Sequence, residues 1–460
     1  MPNVVLFMSD EHSPRYSSTY GHPFVETPQL DRLARRGTVY ESAYCPSPLC
    51  VPSRSSFMTG RWAHEIQRYN NCKVIEGRFP SYGGVLAEQG VHTTYLGSAS
   101  NLYRDPARLG FSELRLVETT RRSLNPTAVR GGEDRPGVPR STADSGSRPD
   151  RFAVDVEFVD AAVDWLINTA PRLGRPWTIT VNVHPPHPPH TADPAGWARY
   201  EGLGDLPRFG ADHPAAQHPY TRDLRDHGGW DYPDDLVRRL RAGYYAAVSY
   251  VDHELGRVID AVDRAGLGDD TVIGYTTDHG EMLGRYGVWG KRSLHEDSVR
   301  IPLVVAGPGF AAGSRVRTPV GLLDLQASLF HAVGADRPGD WHGTPLQLID
   351  RDDQERVAFS EYHGHEVRGG GFVIRRGDWK LIYNLAAPHQ LFDLSTDPDE
   401  LDDLAADRPE VLADLEAALF AICDPAAVDR DADAFQARQL EVIAGFRRSV
   451  PEEVLDVPWT

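Results

Sequence analysis

Along this chain, short uninterrupted apolar runs alternate with longer stretches in which apolar residues recur every three or four positions. That alternation predicts strands of a parallel sheet separated by helices. Val4 to Met8 is such a run and ends in Ser9-Asp10-Glu11-His12. It reads as a strand buried on both faces with acids at its carboxyl end, the edge at which open α/β sheets hold their ligands. Two adjacent carboxylates there repel each other unless a cation lies between them. Thr93 to Leu96, Thr178 to Val183, Thr271 to Thr276 and Leu303 to Ala306 are further strands of this kind, and Thr271 to Thr276, the fourth strand of the chain, ends in a second acidic run, Thr277-Asp278-His279-Gly280-Glu281.

The periodic stretches Ser81 to Gln89, Arg151 to Ala170, Leu236 to Ala265 and Leu322 to Val333 predict helices. In the third, Tyr244, Val248, Val251, Leu255, Val258 and Val262 define the core face. Thr27 to Gly37 reads as a helix with Thr as cap, Pro28 at the first position and Gly37 as stop. Another is expected from Ser55 to Thr59. After about residue 355 the pattern changes to alternating strands, Phe359 to Tyr362, Gly371 to Arg376 and Trp379 to Asn384, with a hairpin turn at Gly377-Asp378. Gln390 to Leu394 closes this sheet, and helices follow from about Pro409 to Ile422 and over Asp424 to Ser449.

The expected architecture is therefore α/β, a large and mostly parallel central sheet flanked by helices, with a smaller antiparallel-sheet subdomain at the C-terminus. We place the catalytic body at residues 1–355 and the subdomain with its tail at 356–460. Residues 119–150, rich in Arg, Pro, Gly and Ser, read as a surface insertion or mobile lid, and 185–235 as a loop over the pocket. The tail is long enough to embrace a neighbouring subunit in a homo-oligomer.

Composition narrows the function. With 460 residues, 40% hydrophobic and 25% charged, the chain can bury a substantial core. A formal charge of -18 argues against nucleic acid and anionic membranes as partners. It leaves room for an anionic substrate met by a local cationic cluster. Cys45, Cys50, Cys72 and Cys423 are too few and too scattered for a disulfide framework or a structural zinc site. No stretch approaches the roughly 20 apolar residues that span a bilayer, and Met1-Pro2-Asn3 enters the first strand without a basic leader. The expectation is a cytoplasmic protein.

The densest chemistry lies in Pro46 to Arg61, whose centre is Cys50-Val51-Pro52-Ser53-Arg54 and whose end is Thr59-Gly60-Arg61. This C-x-P-S-R followed by T-G-R resembles the signature of the type I, formylglycine-dependent sulfatases of the alkaline phosphatase superfamily. The resemblance extends to the Thr27 to Gly37 helix, to Asp278-His279-Gly280, to Gly290 through Pro302 with Lys291, and to Leu391-Phe392-Asp393-Leu394 with Asp397-Pro398. Within the family, the chain is similar to bacterial members of the choline-sulfatase and phosphonate monoester hydrolase kind.

That resemblance implies an alkaline phosphatase-like fold and a set of roles. Cys50 would be oxidised to formylglycine by a formylglycine-generating enzyme. Asp10, Glu11, Asp278 and His279 would bind a divalent metal, Ca²⁺ first and Mn²⁺ or Zn²⁺ as alternatives. Arg54 and Lys291 would hold the oxygens of a small-molecule sulfate ester or sulfamate, and His187, in the frame of the family's P-H-x-P, would protonate the leaving group. At the end of the strand closing in Gly97 the family has G-K-x-H, whereas this chain reads Gly97-Ser98-Ala99-Ser100-Asn101. Arg104 is the candidate for the missing charge and His64 for the missing base. Two other readings stay open, a phosphonate monoester or phosphodiester hydrolase on the same site and a binding protein that has lost catalysis.

Overall fold

The computed structural model describes residues 1–98, 103, 105–116, 129–130 and 144–449. Its central feature is an eight-stranded sheet in the order Ser314–Val316, Gly37–Tyr40, Val304–Ala306, Thr271–Thr277, Asn3–Asp10, Trp177–Pro186, His92–Gly97 and Glu113–Leu116. Val304–Ala306 runs antiparallel to both neighbours, and the other pairings are parallel. The strands predicted for this sheet all form, each longer or shorter by a few residues at its ends. Asn3–Asp10 and Thr271–Thr277 are adjacent and in register from Asn3 opposite Thr271 to Ser9 opposite Thr277. This pairing sets the two acidic strand ends side by side.

Apolar side chains pack on both faces of this sheet. Val5, Phe7, Ile179, Val181 and Ile273 on one face meet Leu255, Val258 and Val262 of the helix Asp234–Arg264. Leu6, Met8 and Val305 on the other face lie with Leu325 and Leu329 of the helix Leu322–Val333. The helix Pro28–Arg36 starts where its sequence says, although Thr27 makes no capping bond. Asp252 of the long helix caps it instead, accepting the amides of Gln29 and Leu30 at 3.0 and 2.7 Å. Gly37 opens a strand rather than adopting a left-handed cap, and a β-carbon there would lie 2.2 Å from the Val305 carbonyl oxygen.

Two expectations are corrected. The helix expected from Ser55 begins at Cys50 and runs to Thr59. Pro52 is tolerated because the first turn has no use for its missing N–H, and the Ser53 amide closes that turn on the Leu49 carbonyl. Residues 185–235 are not one loop: the end of the strand Trp177–Pro186, a strand at His190–Ala192 and helices at Pro194–Tyr200 and Pro219–Gly228 occupy much of it, both helices opening on a proline. The tail helix Pro425–Ser449 lies on its own chain, with Gln436 and Gln439 both accepting from Asn70 Nδ2 and Asp431 accepting from Tyr69.

Of the insertion expected at 119–150, residues 119–128 and 131–143 lie outside the described residues. Val129 is buried beside Cys72, Val74 and Ile443, and Arg130 pairs with Asp429 and Asp433. Ser145–Ser147 pairs with His190–Ala192. Among the described residues no helix is long and apolar enough to cross a membrane.

The antiparallel sheet Val357–Tyr362, Gly371–Arg376, Trp379–Asn384 and Gln390–Asp393 forms in simple sequential order. It is joined to the larger body by a buried charge cluster. Lys380 Nζ donates to Glu296 Oε1 at 3.0 Å and to Glu400 Oε1 at 2.7 Å, and Glu400 also accepts the Glu296 amide. Lys380 is 0% exposed. Removing the lysine leaves two buried carboxylates facing each other, so Lys380→Ala is expected to lower the unfolding free energy by about 3–5 kcal/mol. Urea denaturation measures it, and a loss no larger than that of an exposed lysine variant would contradict the assignment.

Candidate functional site

Four segments meet at the carboxyl edge of the sheet: the ends of Asn3–Asp10 and Thr271–Thr277, the first turn of the helix Cys50–Thr59, and the turn carrying Gly290 and Lys291. Arg54 binds the first three together. Its Nη2 donates to Asp10 Oδ2 at 2.9 Å, its Nε to Asp278 Oδ2 at 2.7 Å, and its Nη1 to the Ser98 carbonyl at 3.1 Å. Ser53 adds a bond to the Asp278 carbonyl at 2.6 Å. The helix start is thereby fixed against both acidic strand ends, with Cys50 between them.

Cys50 Sγ lies 3.1 Å from His279 Nε2 and 4.0 Å from Asp10 Oδ1. His279 Nδ1 lies 3.1 Å from the Gly280 carbonyl oxygen. That contact assigns the ring proton to Nδ1 and leaves the Nε2 lone pair facing the thiol, the form in which histidine ligates metals. Gly280 is required here because a β-carbon would stand 2.1 Å from the Asp297 carbonyl oxygen. One donor atom each from Asp10, Cys50, Asp278 and His279 lie within 4.8 Å of one another. This set of oxygen, nitrogen and sulfur donors has the composition of a cation site.

Burial and the Asp10 carboxylate push the Cys50 thiol up to about 12, against the opposing pull of Lys291. Burial likewise works against the Asp10 charge, yet Arg54 first, then His187, Lys291 and His279, hold its carboxyl below the ordinary range. A neutral thiol therefore sits among ionised groups. As a thiol it is a poor nucleophile, since reactivity follows the thiolate.

Glu11 behaves differently from the other expected ligands. It adopts a left-handed backbone at φ 73°, a strained conformation for a residue with a side chain. Its amide donates to Asp278 Oδ1 at 3.2 Å while its carboxylate turns to Lys291, with Nζ to Oε2 at 2.6 Å. It thus converges with Asp10 and His187 in a second group rather than with Cys50. Burial, with Glu281 behind it, raises the Glu11 pKa even though Lys291 opposes the shift.

His187 Nε2 is 3.5 Å from Glu11 Oε2, and its Nδ1 is 2.8 Å from the Pro188 carbonyl oxygen. The same tautomer argument leaves Nε2 open toward the site. Burial, then Lys291 and the neighbouring His184 ring, move the His187 pKa well below its usual value. The two rings lie 4.4 Å apart. His190 is buried between Tyr244 and Trp289.

The structure therefore gathers Asp10, Cys50, Arg54, Asp278 and His279 into one cluster, with Glu11, His187 and Lys291 beside it. His64 is engaged elsewhere: both its amide and its Nδ1 meet Glu361 Oε1, at 3.0 and 2.9 Å. Arg104 lies outside the described residues, as do Ala99, Ser100 and Asn101. Two residues were overlooked. Glu281 is fully buried, and its Oε1 accepts the amides of Gly290 and Leu283 at 2.6 and 2.7 Å. It thereby fixes the turn that presents Lys291, and its place directly after Asp-His-Gly was the available signal. Asn71 accepts the Val51 amide at 3.0 Å and steadies the turn that follows Cys50. Nothing in the local sequence distinguishes it from a surface asparagine.

Comparison with known proteins agrees with this geometry. The sulfatase family profile matches residues 2–335, and a second, described as the C-terminal part of N-sulphoglucosamine sulphohydrolase, matches residues 284–422. The choline-sulfatase of Rhizobium meliloti (strain 1021) is 31% identical over 99% of this chain and 91% of its own length. The arylsulfatase K of Danio rerio is 29% identical over 95% and 87%. Among solved structures, one determined with its substrate D-glucosamine-2-N,6-O-disulfate superposes with a TM-score of 0.75 at 19% identity, over 94% of this chain and 99% of that one. The phosphonate monoester hydrolase of Agrobacterium radiobacter superposes at 0.74 with 21% identity, over 95% and 96%. At these identities the superpositions establish the fold alone.

The His64 contact makes a pH-dependent prediction. Burial alone lowers the His64 pKa, but the Glu361 carboxylate outweighs it and holds the pKa above 6.5. A raised folded pKa stabilises fully below the unfolded value and is lost as pH rises through the folded one. The stability difference between wild type and His64→Ala should therefore be largest near about pH 6 and shrink toward about pH 9. Guanidinium unfolding across that range tests it, and a difference that grows with pH would overturn it.

Proposed function

We propose, from the premise that this chain belongs to the sulfatase family, that it hydrolyses a small-molecule sulfate ester with a nucleophile made from Cys50 and releases inorganic sulfate. That it is a sulfatase acting on sulfate esters rests on the family and its relatives. The nucleophile and the roles below are our reading. The observation that carries it is the convergence of Cys50 with Asp10, Asp278 and His279 within 4.8 Å.

These residues fit a divalent cation. Two carboxylates suit Ca²⁺, the imidazole nitrogen would admit Mn²⁺ or Zn²⁺, and Arg54 leaves Asp10 Oδ1 facing the cluster. Asp10, Asp278 and His279 would hold the ion, and Glu11 would join them by releasing Lys291. Such a cation, with Cys50 oxidised to formylglycine by a formylglycine-generating enzyme, supplies an activated hydroxyl as nucleophile and a second hydroxyl through which sulfate is released.

The chain's own groups do the rest. Arg54 keeps the helix start and both acidic strand ends in one geometry, which spares reorganisation when the substrate arrives. Lys291 Nζ, now on Glu11 Oε2 at 2.6 Å, is positioned to move onto a sulfate oxygen. His187 passes a proton at Nε2. Its half-buried ring is neutral at rest, and the negative charge of an arriving sulfate favours the imidazolium that a departing alcohol or amine needs. The chemistry lies within residues 1–355, and residues 356–460 buttress it through Lys380 and through the Glu361 amide, which donates to the Pro46 carbonyl at 3.0 Å.

Turnover of paired sulfate and phosphonate esters of the same alcohol tests the reaction class. Sulfate esters are expected to be the better substrates, and faster phosphonate turnover would assign the chain to the phosphonate hydrolases of its fold. Cys50→Ala should abolish activity. Lys291→Ala should lower kcat/KM about 10²-fold or more, the cost of losing one stabilising donor. His187→Ala should lose far more on alkyl sulfates than on nitrophenyl sulfate, whose leaving group needs no proton. An equal loss on both would remove His187 as the acid.

A further inference from the structure

Away from the nucleophile, a cavity of about 540 Å³ lies where residues 18–21, 41–44, 296–300 and 315–317 of the larger body meet residues 354–378 and 394–398 beside the small sheet. Arg300, Arg315, Arg317 and Arg375 line it, and none of Asp10, Cys50, Arg54, His187, Asp278, His279 or Lys291 does. Four guanidinium groups from three separate segments converge here in a chain of net charge -18. Like charges gathered in this way repel one another unless anions balance them.

The carboxylates on the walls do not pair every one of these groups. Glu296 shares Lys380 with Glu400, Glu41 pairs with Arg315 at 3.2 Å, and Asp378 lies 3.6 Å from Arg375 and 3.7 Å from Arg317. Asp352 reaches Arg317 only at 4.0 Å. Arg300 spends its Nε on the Glu41 backbone carbonyl, stands over the Tyr20 ring, and has no carboxylate partner among the described residues. Arg375 is 5% exposed, and its Nε is buried without a partner. Among the described residues, Arg300 is thus left without a carboxylate and the buried Arg375 Nε without an acceptor. Guanidinium groups match the geometry of tetrahedral oxyanions through paired N–H donors.

We propose that this cavity is a second anion site, separate from the nucleophile pocket, that takes a dianionic tetrahedral oxyanion, either inorganic sulfate or a phosphate group. It shares Tyr20, Gly21 and Arg300 with a neighbouring cavity of about 330 Å³, so the anion can belong to a larger molecule. The site stands independently of the catalytic reading, because its residues take no part in that chemistry.

Isothermal titration of the full-length, metal-loaded protein with sodium sulfate, and separately with sodium phosphate, tests it. The expected result is a binding event that survives Lys291→Ala and weakens at least about tenfold in Arg315→Ala/Arg317→Ala. Both side chains are half exposed, so this variant should keep the wild-type unfolding temperature and turnover. If the double variant is unstable, Arg317→Ala alone should weaken binding in the same direction. The anion bound more tightly identifies the source. Absence of any binding that survives Lys291→Ala, or binding indifferent to the arginine substitutions, would overturn the proposal.

Discussion

Two carboxylates buried at adjacent strand ends cannot both stay ionised without a counter-charge, and Arg54 supplies it from inside the helix that carries Cys50. Its ion pairs to Asp10 and Asp278, at 2.9 and 2.7 Å, make the helix start, the first strand and the fourth predicted strand one rigid unit. Buried ion pairs of this kind contribute little to stability relative to a well-packed apolar core, but losing one partner is costly because a charge is left alone. The arrangement therefore buys geometry rather than stability. Cys50 is brought to 3.1 Å from His279, and the remaining face of Asp10 is left for a cation.

The same logic recurs one layer out. Lys291 satisfies Glu11, Glu281 holds the turn that presents Lys291, and Glu361 joins His64 and His363 behind the nucleophile turn. In each case a buried acid fixes a basic group or an amide. A sheet edge so crowded with charge keeps its shape only while every member has its partner, and so the small sheet, which supplies Glu361 and Lys380, bears on the shape of the candidate site.

Much of this was legible in the amino-acid sequence, and the reasons are specific. Apolar runs such as Val4 to Met8 can only be strands buried on both faces, and each acidic ending then has to lie at the carboxyl edge. Helix Leu322–Val333 and strands Gly371–Arg376 and Trp379–Asn384 formed at their predicted bounds, because periodicity and the Gly377-Asp378 turn are local signals. What escaped was set by tertiary partners. His64 looked free in the sequence, yet Glu361, almost three hundred positions away, takes it. The Lys291 that meets the Glu11 carboxylate lies far along the chain. The cap on Pro28–Arg36 comes from Asp252, and the tail helix meets Asn70 and Tyr69. No window of sequence around any of these residues contains its partner.

The central claim is that Arg54 and the acidic strand ends hold Cys50 for conversion into a nucleophile rather than as a buried structural thiol. Mass spectrometry of the peptide spanning Cys50, from protein produced beside an active formylglycine-generating enzyme, tests it most directly. The account predicts a peptide carrying the aldehyde, with sulfatase activity rising in proportion to the converted fraction. A fully reduced thiol in protein that nonetheless hydrolyses sulfate esters would contradict it.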